Sequence, residues 1–289
     1  LLERGSGPPV LFLHGNPDSS EIWRDVIDLL GHRFRCLAPD LPGFGRTPAP
    51  ESFDCSLDAM SGWVGSLLDT MAPGENVHLV GHDFGAIFGM AFAIRNPGRV
   101  RHIAVGGFPF FPDYRWHFWG RVWRTPILGE ISMLSMNRWL FAREMRAGGP
   151  KLGDDHVERA YRFLTGPTKR LILRLYRATD PGNFAAWQSG LEALLARKPT
   201  LVLWGEQDPF VPADYAEGVA VDVPVLLWSG THDPVSPPCW GEEAVSHLPN
   251  GLHLTVPGAH GVGGPAVVAI EQAFLESASV EGLDLSPLE

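Results

Sequence analysis

The stretch "VHLVGHDFG", residues 77–85, constrains the fold more than any other part of this chain. An apolar, β-branched run (Val77–Val80) enters a turn in which Gly81 and Gly85 flank Asp83, and a helical pattern (Ala86–Asn96) follows. A strand-to-helix turn this tight needs glycine where backbones approach closely, and it forces its middle residue into strained geometry. The side chain there stands at the carboxyl end of a parallel sheet, where ligands of open α/β sheets bind. The amides of the following helix favour negative charge at that point. A plainer use of Asp83, as helix N-cap, is open to the same residue.

The rest of the chain supplies such a sheet. Val10–Leu13, Arg35–Ala38, Val77–Val80 and Arg101–Val105 read as strands. Between them lie a helix carrying Ile22, Trp23, Val26, Ile27 and Leu30, a helix near Leu57–Met71, and Ala86–Asn96. Continuous apolar strands alternating with helices predict a mostly parallel sheet covered by helices on both faces. After Gly107 the texture turns helical and aromatic, with Trp116, Trp119, Trp123, Trp139 and Trp187 and no strand pattern. Strands resume at Thr200–Trp204, Val223–Trp228 and Leu252–Val256. The predicted organisation is a core in two parts, 1–107 and 199–289, with a helical cap at 108–198.

Charge and composition narrow the function. The formal net charge of −10 and the lack of a basic run disfavour nucleic acid and anionic membranes as partners. No apolar stretch reaches the roughly 20 residues that span a bilayer, and "LLERGSGPPVLFLHG" shows neither a signal-peptide pattern nor an initiator Met. Cys36, Cys55 and Cys239 lack metal-ligand spacing, which suits a reduced, cytoplasmic setting. His102, His117, His156, His247 and His253 have no ligand spacing either and read as ordinary surface or packed histidines. "GVGG" (261–264) lacks the strand–helix context of a dinucleotide site. No cofactor or metal is expected.

Taken together, "VLFLHGNP" (10–17), "RCLAPDLPGFG" (35–45), "VGHDFG" (80–85), "LVLWGEQDPFVP" (201–212) and "VPGAHG" (256–261) resemble the α/β-hydrolase fold, in its haloalkane dehalogenase and epoxide hydrolase group. The resemblance implies that Asp83 is a nucleophile that forms an alkyl ester, which histidine-activated water then hydrolyses. A serine at this turn would serve acyl transfer and need activation, whereas an aspartate is ordinarily ionised at neutral pH. It further implies an oxyanion hole from the amides of Phe84 and Asn16, with the Asn16 side chain helping to hold a departing halide. The partner halide donor in dehalogenases is a Trp directly after the nucleophile, and this chain has Phe84 there. A cap Trp is the expected substitute. Epoxide hydrolases use two cap tyrosines instead; Tyr114, Tyr161 and Tyr176 are candidates, but "NFAAWQ" (183–188) offers none.

Two carboxylates compete to orient the catalytic histidine. "LWGEQDPFVP" (203–212) and "WSGTHDPVSP" (228–237) share Gly-x-x-Asp-Pro-x-x-Pro, so the acid strand is doubled. His260, in a glycine-flanked turn after a strand, is the expected base; Asp208 is the expected acid and Asp233 the alternative, with His232 assigned to the second acid loop. The linker between the copies, 212–222, is short for a crossover helix. The tail resembles the C-terminal segment of the serine-elbow branch.

The expected activity is therefore a cofactor-independent hydrolase of a small apolar substrate with water as co-substrate, haloalkane dehalogenase-like, acting as monomer or homodimer. Epoxide hydrolysis is the first alternative. Ester or lactone hydrolysis and non-catalytic binding of apolar ligands are the others, the last applying if the doubled strand displaces His260.

Overall fold

The computed structural model describes residues 1–148, 153–205, 210–211, 225–230, 251–256, 272 and 274–276. Its centre is an eight-stranded sheet of order β1-β3-β2-β4-β5-β6-β7-β8. The strands are β1 (Leu2–Arg4), β2 (Pro9–Leu13), β3 (Arg35–Ala38), β4 (Val77–His82), β5 (Val100–Gly106), β6 (Thr200–Gly205), β7 (Val225–Gly230) and β8 (Gly251–Val256). All neighbours pair parallel except β1, which runs antiparallel to β3. The expected strands are all present. β1 escaped the sequence reading because it is three residues long at a sheet edge, with only Leu2 shielded from solvent.

β2 shows why a continuous apolar run is needed. Val10 and Phe12 pack on one face with α1 (Arg24–Leu30) and Phe274, while Leu11 and Leu13 pack on the other with α2 (Leu57–Met71) and α3 (Phe84–Arg95). Successive strand side chains point to opposite faces, and both faces here are covered. α2 begins where Ser56 accepts the Ala59 N–H at 3.2 Å. α3 is longer at its start than the sequence pattern suggested, beginning at Phe84 rather than Ala86, and nearly all of it is buried.

Between β5 and β6 the chain is helical: α4 (Phe118–Arg124), α5 (Leu128–Ser135), α6 (Arg138–Gly148), α7 (Asp154–Phe163), α8 (Gly166–Ala178) and α9 (Gln188–Leu195). The approach to α9 is a 3-10 segment (Pro181–Trp187) that runs directly into it. α8 sends Leu171, Ile172, Leu173, Leu175 and Tyr176 into the same core cluster as the sheet, whereas α6 and α7 share a smaller cluster around Phe141 and Val157. The helical region is tied to the loop after β2 by His156 Nε2 and Asp18 Oδ1 at 3.3 Å. Among the described residues no helix is long and apolar enough to cross a membrane.

The doubled acid strand is resolved by the sheet. β6 and β7 are parallel neighbours with Val202 opposite Val225 and Gly205 opposite Trp228, so both copies join. The two connections still deliver parallel neighbours despite the short linker. The linker, Asp208, Asp233, His232 and His260 lie outside the described residues.

Candidate active site

Asp83 sits between β4 and α3 with φ 53° and ψ −128°, the strained backbone expected of a tight elbow. Its amide donates to the Gly106 carbonyl at 3.2 Å, and its own carbonyl accepts from the amides of Ala86 and Ile87. Two glycines leave room for the turn. A Cβ on Gly85 would strike the Leu13 and His14 carbonyls, and a Cβ on Gly15 would strike the Asp83 side chain itself.

The loop after β2 meets this elbow because β2 and β4 pair side by side, Leu13 opposite Gly81. From that loop the Asn16 amide donates to Asp83 Oδ2 at 2.8 Å. His14 holds the loop in shape: its Nε2 accepts the Leu41 N–H at 2.9 Å, which leaves Nδ1 to donate to the Gly15 carbonyl at 2.8 Å. Burial lowers the affinity of His14 for a second proton, so it stays in that neutral tautomer. Asp40, fully buried, accepts from the Ser20 and Arg46 amides at 2.7 and 2.9 Å and braces the neighbouring turn.

An aromatic wall closes over the elbow. Phe84 is buried against Phe88, Trp116 and Tyr176, with the Tyr176 ring edge-on at 5.1 Å. Trp116 and Trp123 stand 4.8 and 4.9 Å from the same tyrosine ring. Both indole N–H groups, and Asn16 Oδ1, are buried without a hydrogen-bond partner among the described residues. The Tyr176 hydroxyl lies 3.4 Å from Asn16 Nδ2 and 3.4 Å from His117 Nε2. Burial, followed by the nearby Asp83 carboxylate, keeps the phenol protonated far above the usual range.

Of the five tryptophans between residues 108 and 198, then, Trp116 and Trp123 face this wall. Trp119 donates to Glu144 at 2.7 Å, Trp139 is exposed, and Trp187 lies under Arg95. Of the three tyrosines, Tyr176 reaches the elbow, Tyr114 donates to the Phe210 carbonyl at 2.8 Å, and Tyr161 packs on Phe141. His117, an ordinary packed histidine by its sequence, also reaches this wall. It caps α4 by accepting the Gly120 N–H on Nδ1 at 3.2 Å and turns its other nitrogen to Tyr176. No spacing in the sequence signals that convergence. The structure brings Asn16 to Asp83 and its neighbour Phe84; His260, Asp208 and Asp233 lie outside the described residues.

Comparison with known proteins agrees with this architecture. Residues 10–251 match the model of the alpha/beta hydrolase family. A haloalkane dehalogenase of Agrobacterium fabrum is 35% identical over 232 residues, covering 80% of this chain and 68% of that protein. Haloalkane dehalogenase 2 of Mycobacterium tuberculosis is 29% identical over 238 residues, covering 77% of this chain and 82% of that one. Among solved structures, the haloalkane dehalogenase DatA from Agrobacterium tumefaciens C58 superposes with a TM-score of 0.66 at 25% identity, covering 96% of this chain and 92% of that one. A loop variant of the haloalkane dehalogenase DbeA from Bradyrhizobium elkanii, at 21% identity and a TM-score of 0.67, shares the fold. The chain belongs to the alpha/beta hydrolase family and is a hydrolase of its haloalkane dehalogenase-like group.

Proposed function

We propose that the protein hydrolyses a carbon–halogen bond through an ester on Asp83. A carboxylate oxygen of Asp83 attacks the carbon bearing the halogen; the carbon–halogen bond breaks and the halide leaves with the bonding pair. A water molecule, giving a proton to His260, then attacks the ester carbonyl carbon. Collapse of the resulting oxyanion breaks the bond between Asp83's carbonyl carbon and the alkoxide oxygen, the alkoxide takes the proton back from His260, and Asp83 returns to its carboxylate by losing the water's second proton to solvent. Asp208 orients His260, with Asp233 as the alternative acid. The amide of Asn16, and that of Phe84 at the start of α3, stabilise the oxyanion.

The observation that carries this reading is the contact of the Asn16 amide with Asp83 Oδ2 at 2.8 Å, on a residue held at φ 53°. A simple helix cap needs neither feature, and the Asp83 side chain makes no capping bond to α3. Phe84 has no N–H for a halide, but Trp116 and Trp123 each present a buried indole N–H without a partner. They replace the missing donor. The apolar wall also excludes water, which strengthens charge interactions in the displacement.

Epoxide opening is the second reading, supported by the placement of Tyr176 beside Asp83. It has one tyrosine at the elbow where that chemistry uses two, since the Tyr114 hydroxyl is engaged by Phe210. Intact-protein mass of His260→Gln after exposure to 1-bromobutane or to an epoxide separates the readings. An adduct of the alkyl group alone supports dehalogenation, and one of the whole epoxide supports ring opening. No adduct on folded protein removes Asp83 as nucleophile toward either.

A further inference from the structure

His117 and Asn16 come from opposite sides to the single hydroxyl of Tyr176, and their protons decide which way that hydroxyl points. Nδ1 of His117 accepts the Gly120 N–H at 3.2 Å, and a nitrogen that accepts carries no proton. Burial, then the Arg121 charge, pushes His117 down to about 4, so the ring is neutral with its one proton on Nε2. The contact of 3.4 Å with Tyr176 is accordingly Nε2–H donating to the phenol oxygen.

The proton of Tyr176 must then go elsewhere. With Asn16 Nδ2 facing the phenol at 3.4 Å, the oxygen receives two N–H groups, and Asn16 Oδ1 is buried with no partner. A half-turn of the carboxamide gives the Tyr176 proton an acceptor and turns the unpartnered amide atom from an acceptor into a donor. Tyr176 donates to Oδ1, and Nδ2 takes the place that Oδ1 held. A single donor remains over, on the residue whose backbone amide already grips Asp83 Oδ2.

We infer that His117, Tyr176 and Asn16 form a one-way hydrogen-bond chain that aims the Asn16 Nδ2–H at the anionic leaving group displaced by Asp83. His117 and Tyr176 are positioning residues; of the three, Asn16 is the one that touches the halide. The chain rests on the displacement reading above for its role in turnover, and it makes a separate statement about anion binding. One buried donor aimed by two others suits a halide, which accepts hydrogen bonds and gives none.

Bromide binding tests it directly, followed through intrinsic tryptophan fluorescence at constant ionic strength, since Trp116 and Trp123 pack on Tyr176. Tyr176→Phe keeps the ring packing and removes the hydroxyl. His117→Asn keeps a capping acceptor for α4 but is too short to reach Tyr176. Tyr176→Phe is expected to weaken bromide binding and lower kcat on 1-bromobutane by about tenfold each, as for loss of one neutral buried hydrogen bond that holds Asn16. KM is expected to move by less than about threefold. His117→Asn should act in the same direction by about threefold, and the double variant should match Tyr176→Phe alone, because the two act in series. Bromide affinity equal to wild type in folded Tyr176→Phe would overturn the chain, as would effects that simply add in the double variant. Wild-type protein that binds bromide with this variant pattern but releases none from 1-bromobutane would retain the chain and remove the displacement reading.

Discussion

The amide of Asn16 donates to Oδ2 of Asp83 across 2.8 Å, although the two residues lie 67 positions apart. They meet because β2 and β4 are neighbours, so the loop leaving one strand and the elbow leaving the other emerge together at the same sheet end. Both proposed chemical steps depend on that meeting.

Asp83→Asn keeps a side chain that tolerates the left-handed backbone, so the elbow should fold as before. Halide release from 1-bromobutane is expected to fall by at least about 1000-fold, as on loss of a covalent nucleophile. Thermal unfolding should shift by no more than about 3 °C.

Gly15→Ala places a methyl against the Asp83 carboxylate. Displacing the attacking oxygen by about an ångström is expected to cost roughly 100-fold in kcat. Steady-state kinetics on folded variant protein check this, and activity within about threefold of wild type would contradict it.

Phe84→Trp would supply the indole N–H found after the nucleophile in dehalogenases. The site is already filled by Phe88, Trp116 and Tyr176, with Phe84 1% exposed. Overpacking is expected to destabilise the protein by about 1–3 kcal/mol in urea unfolding, and no gain in turnover should follow.

His78 and His102 meet with ring centroids 4.7 Å apart and planes tilted by 58°, against Phe34 and Phe274. Desolvation, then the His102 and Arg101 charges, hold His78 at about 4, below its ordinary 6.5; His102 is lowered as well. The unfolded chain therefore binds a proton near 6.5 that the folded chain refuses until about pH 4. Stability should be full above pH 6.5 and fall as the pH drops through that window, by about 2 kcal/mol. His78→Phe should flatten the profile between pH 6 and 4 in urea titrations.

His156 behaves oppositely. Its bond to Asp18 raises its proton affinity, so the contribution is present below the unfolded value of 6.5 and is lost as pH rises through the higher folded value. Asp18→Asn should remove the difference, worth under about 1 kcal/mol for a pair this close to the surface. Unfolding measured at pH 6 and 8 reads it.

The elbow was legible because its causes are local: an apolar strand, glycines at two contacts, and a helix start all fall within residues 77–96. The strands were legible for the same reason, apart from β1, whose pairing with β3 owes more to the edge than to its own three residues. The doubled Gly-x-x-Asp-Pro motif was plain in the sequence, but only the sheet order shows that both of its strands pair side by side. Tyr176 was one of three equivalent candidates until packing separated it from Tyr114 and Tyr161. His117 carried no signal, because capping α4 and reaching Tyr176 are properties of its surroundings.

By itself the sequence determined the family, the strand–turn–helix at Asp83 and the glycines that permit it, since backbone preference and close approach act over a few residues. The tertiary structure decided which polar side chains share the space above that turn. Asn16 and Tyr176 are 160 residues apart, and Tyr176 and His117 are 59 apart. Their meeting is a consequence of how α4 and α8 lie over the sheet, and buried hydrogen bonds of that kind depend on packing geometry rather than on any local pattern.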